Sequence, residues 1–144
     1  LKVEITERVL RQDIDRMRTA MAEMASRDIH FYLDDFGTGY SNLSCVLDLP
    51  FECVKLDQSL VAEFPDDQRA DLLVRTLVSL FHNMGLQVVA EGVEAAPQAE
   101  ALARYGADRI QGYYYARPMP ESELIPFLKE KIHAPQGGAK EVLV

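Results

Sequence analysis

Five short β-like runs, at residues 2–5, 29–33, 53–56, 86–90 and 108–111, punctuate the chain, with helix-like segments between most of them. This alternation limits the fold more than any other feature, because strands that alternate with helices build a parallel sheet from βα units. The helical segments show themselves by spacing. Val9, Leu10, Ile14, Met17, Met21 and Met24 recur at helical intervals across 9–25, and Leu73, Leu77, Leu80, Phe81 and Met84 share one face of 72–84. Residues 98–105 read as a shorter helix stopped by Gly106, and 120–132 as a last one with Pro120 near its start.

About five βα units fit part of a TIM-like (β/α)8 barrel better than an arbitrary open sheet. A complete barrel takes about 250 residues, so a chain of 144 is expected to form only part of one. Residues 1–133 are read as that portion and 134–144, with Pro135 and Gly137-Gly138, as a flexible tail.

The ends of the β-runs carry the polar residues, where α/β folds place their chemistry. The second run leads into Asp34-Asp35, the third holds Lys55, the fourth runs into Glu91, and the fifth ends on Gln111. In the first run Glu4 lies between Val3 and Ile5, which point to the opposite face. A carboxylate flanked by apolar strand residues is costly to bury bare, and adjacent acids repel unless a cation is shared or one is neutral. Taken singly, Asp34-Asp35 reads as a helix cap or turn, and Lys55 as a partner for Asp57 or a neighbour. Taken together at successive strand ends, the acids form a set of hard oxygen donors suited to Mg²⁺ or Mn²⁺, with a lysine to orient water.

Charge points the same way. A net charge of −8 disfavours binding to a DNA or RNA polymer, and a phosphorylated ligand among carboxylates needs a cation between. Cys45 and Cys53 lack zinc-site spacing and are expected to be packed, reduced thiols. No run is apolar enough to span a membrane and no secretion signal is visible, so the expected location is cytoplasmic, with any anchor on sequence outside this chain.

Five stretches resemble the EAL family of cyclic-di-GMP phosphodiesterases. They are Glu4-Ile-Thr-Glu7, Asp34-Asp-Phe-Gly-Thr-Gly-Tyr-Ser41, Val54-Lys-Leu-Asp57, Ala90-Glu-Gly-Val-Glu94, and Gln111-Gly-Tyr113 followed by Arg117-Pro118. The resemblance implies metal-dependent hydrolysis of cyclic-di-GMP to linear 5′-pGpG. It implies that Glu4, Asp34 and Asp35 bind the metal, that Lys55 holds the attacking water, and that Glu91 serves as base or water-positioning acid. Gln111 would complete the substrate pocket, and Glu7 would steady the loop after Asp35, which in the family also contributes to dimerisation. A homodimer or other self-association and upstream regulatory domains are implied partners.

The family's naming motif, Glu-Ala-Leu-x-Arg, and a following metal-binding asparagine precede the part of the domain covered here, so the resemblance makes residues 1–133 the carboxyl-terminal portion of the barrel. Glu100-Ala-Leu-Ala-Arg104 spells the motif, but within a helical segment between the Glu91 and Gln111 stretches, and is read as coincidence. Asn42 stands where the family often has serine. Two other classes remain: an inactive EAL domain acting as a cyclic-di-GMP receptor, and an unrelated Mg²⁺-dependent barrel lyase, which leaves residues 34–41 unexplained. Tyr113, Tyr114 and Tyr115 are read first as core packing and second as a platform for a guanine.

Overall fold

Side chains alternate across a strand, so each β-run must bury one face against helices and send the other elsewhere. The computed structural model, which describes residues 1–11, 14–39 and 43–132, resolves this alternation into a single sheet. Strands β1 (Lys2–Thr6), β2 (His30–Phe36), β3 (Phe51–Leu56), β4 (Gln87–Ala90) and β5 (Arg109–Ile110) lie in the order β1-β2-β3-β4-β5. Every neighbouring pair is parallel. A doubly wound sheet reverses its strand order at a switch point; this one never does, which is the winding of a barrel wall.

The helices are α1 (Ile14–Ala25), α2 (Leu43–Asp48), α3 (Gln58–Val61), α4 (Gln68–Asn83), α5 (Ala96–Tyr105) and α6 (Glu121–Ile132). One face of the sheet packs against α1 to α5. Phe31, Leu33, Val54, Leu56, Val88, Ala90 and Ile110 pack into a common core with Val74, Val78 and Phe81 of α4 and Ala101 and Leu102 of α5. The Phe81 ring stands edge-on to Phe36 at 5.0 Å, joining α4 to the end of β2. On the other face Tyr32, Cys53 and Val89 form a small separate cluster below the polar strand ends. Both cysteines are buried free thiols, and burial pushes Cys53 up to about 11.

Local chemistry explains where the expected elements shift. Asp67 accepts from the amides of Arg69 and Ala70, so α4 starts at Gln68, a turn earlier than its apolar spacing suggests. The expected helix over 9–25 begins instead with a 3-10 turn, Glu7–Arg11, whose first residue turns inward. Short helices α2 and α3 went unread because neither completes two amphipathic turns. α5 ends before Gly106, as expected. Tyr40, Ser41, Asn42 and the expected flexible tail over 134–144 lie outside the described residues.

At the amino ends of β2 and β3, His30 bridges two acids, with Nδ1 2.6 Å from Glu52 and Nε2 3.1 Å from Asp28. The Glu52 hydrogen bond, then its charge, raise the imidazole above its ordinary 6.5. A pKa raised by folding contributes stability that is complete below the unfolded value and fades as pH climbs through the folded one. The thermal midpoint is therefore expected to fall as pH rises above 6.5, by an increment that His30→Gln lacks. Parallel midpoint-versus-pH curves for the two proteins would refute this.

Candidate active site

Lys55 is the third-strand residue that most needs company, since an ammonium in a β-strand must either reach water or meet acids. Its side chain is 12% exposed, and Nζ lies 2.8 Å from Asp34 Oδ1, 2.8 Å from Glu91 Oε1 and 3.2 Å from Glu4 Oε1. β1, β2, β3 and the end of β4 thus each send one charged group to a single point. Asp57 is elsewhere: its carboxylate caps α3 by accepting from the amide of Ser59. Burial alone lowers the Lys55 pKa, but the hydrogen bonds and charges of Asp34 and Glu91 outweigh it and hold the ammonium well above the usual lysine range. Burial raises Glu91 above the usual carboxylate range, with Lys55 opposing.

Adjacent residues of a strand should face opposite sides, yet Asp34 and Asp35 serve one site. β2 carries an extra residue between its pairings Leu33 with Val54 and Phe36 with Leu56, and Asp35 there has φ of 56°. This bulge, with a non-glycine residue in the left-handed region, turns the second carboxylate back towards the first. One carboxylate oxygen from each of Asp34, Asp35 and Glu91 lies within 4.8 Å of the other two. Glu4, grouped by sequence with the two aspartates, reaches the site through Lys55; the acid that closes the trio is Glu91.

A divalent cation fits this donor set. All three donors are carboxylate oxygens, the hard ligands such ions take. Asp34 Oδ1 is buried, and the Lys55 ammonium 2.8 Å away takes up only part of what a carboxylate oxygen can accept. A buried oxygen with a lone pair to spare among like charges is a place for a cation.

The loops around the cluster are held by backbone. Glu7 is buried and accepts from the amide of Gly37 at 3.3 Å, joining the turn after β1 to the turn after β2. The amide of Gln111 donates to Ala90 O and its carbonyl accepts from Val93 N, while its side chain faces solvent. Next to it, a Cβ on Gly112 would sit 2.1 Å from Val93 O, so only glycine lets these two turns touch. Tyr113 and Tyr114 are exposed rather than packed in the core, and Arg117 lies 5.0 Å from the Tyr113 ring. Glu100 is exposed on α5, apart from the Lys55 cluster. Sequence reading missed Asp57 as a helix cap and Gln98 as a buried polar residue; the Gln-after-Pro at the start of α5 was the available signal for the latter.

The profile of the EAL domain matches residues 1–118. This chain belongs to the EAL domain family. Its fold is similar to the crystal structure of the EAL domain of Mycobacterium smegmatis DcpA, with 40% identity and a TM-score of 0.82 over 90% of this chain and 58% of that one. It is also similar to a Klebsiella pneumoniae BlrP1 complex with manganese and cyclic-di-GMP, at 29% identity and a TM-score of 0.75, covering 81% of this chain and 30% of that one. Among curated sequences, the cyclic di-GMP phosphodiesterase NbdA of Pseudomonas aeruginosa is 33% identical over 129 residues, 90% of this chain and 16% of NbdA. The chain thus spans less than a fifth of that relative's length, and its sheet is a portion of the TIM-like barrel of EAL domains.

Two substitutions probe this EAL site. Lys55→Met strands Glu4, Asp34 and Glu91 without their shared cation, and urea unfolding near neutral pH is expected to show a loss of about 3 kcal/mol that added Mn²⁺ partly restores. Unchanged stability would mean the ion pairs contribute nothing. Gly112→Ala is expected to cost about 1–3 kcal/mol by the same measurement, and a neutral result would contradict the close approach to Val93.

Proposed function

We propose that this EAL chain contributes the carboxyl-terminal part of a cyclic-di-GMP phosphodiesterase, which opens the cyclic dinucleotide to linear 5′-pGpG. The observation that carries this reading is the convergence of Asp34, Asp35 and Glu91 within 4.8 Å of one another, beside a buried ammonium. A receptor has no need to keep a lysine among acids at the point where a phosphodiester would lie.

In this reading Glu4, Asp34 and Asp35 would hold Mg²⁺ or Mn²⁺, with Glu91, which closes the trio with the two aspartates, against the same ion. When bound, that ion lowers the pKa of a coordinated water and offsets phosphate charge. Lys55, kept charged by its acid partners, donates a hydrogen bond that orients the attacking water. Glu91, with its raised pKa, takes the water proton as the new oxygen–phosphorus bond forms in line with the bond to the 3′ oxygen, which breaks and gains a proton. Gln111 contacts the substrate from the end of β5. Glu7 holds Gly37, and through it the loop after Asp35, which also supports a homodimer. Upstream regulatory domains and a cytoplasmic location complete the proposal.

The test is turnover of cyclic-di-GMP in Mn²⁺ or Mg²⁺, with the product identified by chromatography. This chain would be compared with one extended upstream through the full barrel and with Asp34→Asn in that longer protein. The longer protein is expected to release 5′-pGpG, and Asp34→Asn to lose at least about 100-fold in rate. Binding of the dinucleotide without cleavage by the longer protein would make the domain a receptor and overturn the enzymatic reading.

A further inference from the structure

Gln98 is a buried polar side chain, 8% exposed, in a helix that otherwise buries apolar residues. Burying an amide is costly unless its hydrogen bonds are met. Here all the bonds go to backbone outside the helix interior. Oε1 accepts from Glu94 N at 2.9 Å and Ala95 N at 3.0 Å, and Nε2 donates to Val61 O at 2.9 Å. Ala95, at the N-cap of α5, has no side-chain acceptor of its own, so Gln98 caps the helix from within.

The Val61 bond reaches further than a cap requires. Val61 ends α3, the helix that Asp57 starts directly after Lys55-Leu56. The loop over 91–95 therefore has its far end fastened to α3. Its near end is fastened there too: Gly92, at φ 67°, lies so close that a Cβ would sit 2.3 Å from Gln58 Cβ. Glu91 N itself donates to Leu56 O at 3.0 Å. The segments after β3 and β4, which follow Lys55 and carry Glu91, are thus tied at both ends of the intervening loop.

We infer that Gln98 is a positioning residue: by joining the loop after β4 to the end of α3, it fixes the Glu91 carboxylate against Lys55 and the two aspartates. The inference rests on the proposed role of Glu91 at a metal-dependent site, and it adds a control point on α5 that touches neither metal nor substrate. Groups that orient ligands in this indirect way typically govern metal affinity or activity by about 10–100-fold.

The experiment uses the parent protein with its full barrel and two variants. Gln98→Met keeps the volume and loses all three bonds. Tyr105→Phe, on the same helix, removes the 2.6 Å bond to Asp71 that joins α5 to α4 and leaves the loop alone. Gln98→Met is expected to weaken Mn²⁺ binding by calorimetry about 10–100-fold and to lower kcat for cyclic-di-GMP with KM little changed. Without metal, it should speed amide hydrogen exchange at Glu94 and Ala95 but not in the later turns of α5. Tyr105→Phe should lower the thermal midpoint without either effect. Unchanged Mn²⁺ affinity and loop exchange in Gln98→Met, or equal changes in Tyr105→Phe, would overturn the inference. If the wild-type protein neither binds Mn²⁺ nor turns over the dinucleotide, the enzymatic reading falls, and loop exchange alone decides whether Gln98 fastens Glu91.

Discussion

One ammonium organises the strand ends of this protein. Lys55 stands on the central strand of five and meets acids from β1, from β2 and from the end of β4. Without it, Glu4, Asp34 and Glu91 would repel one another, the last two with side chains only 20% and 18% exposed. With it, three carboxylates are drawn to one point before any metal arrives. Such a buried arrangement is not a source of great net stability, because desolvation offsets much of the Coulomb attraction. Its value is geometric: it holds acids from three strands around a single ammonium.

Around that charge cluster the backbone does the fine placement. The bulge in β2 lets two successive aspartates face the same way, at the cost of a left-handed residue at Asp35. The cost is of the order of 1–2 kcal/mol and is tolerated because the flanking pairs Leu33 with Val54 and Phe36 with Leu56 fix both ends of the bulge. Glu7 secures the turn beyond it through Gly37. The turns after β4 and β5 interlock where Gly112 meets Val93, and Gln98 joins the first of these turns to α3. Each contact ties one βα unit to another, so the loops that carry the site brace one another.

Much of this was legible in the residue order. Strand–helix alternation is a local pattern, and so are the acids at strand ends and the stretch from Asp34 to Ser41; these point to a parallel α/β wall with hard-ligand chemistry at one edge. The chemistry of Lys55 was legible too, because a lysine between Val54 and Leu56 asks for acids nearby. Its partners were less so. Asp57, two residues on, was the plausible local choice, yet helix capping took it, and the actual partners come from 51, 21 and 36 positions away in sequence (Glu4, Asp34 and Glu91).

The sequence by itself determined the fold class, the family and the identity of the charged residues, because periodicity and residue type are properties of neighbours along the chain. Only the tertiary structure decided which acids meet. It exchanged Glu4 for Glu91 in the close trio with Asp34 and Asp35, exposed Tyr113 and Tyr114, and gave Gln98 three backbone partners. The reason is register: the height at which each strand stops, and a single extra residue in β2, set distances between groups that share no local sequence signal.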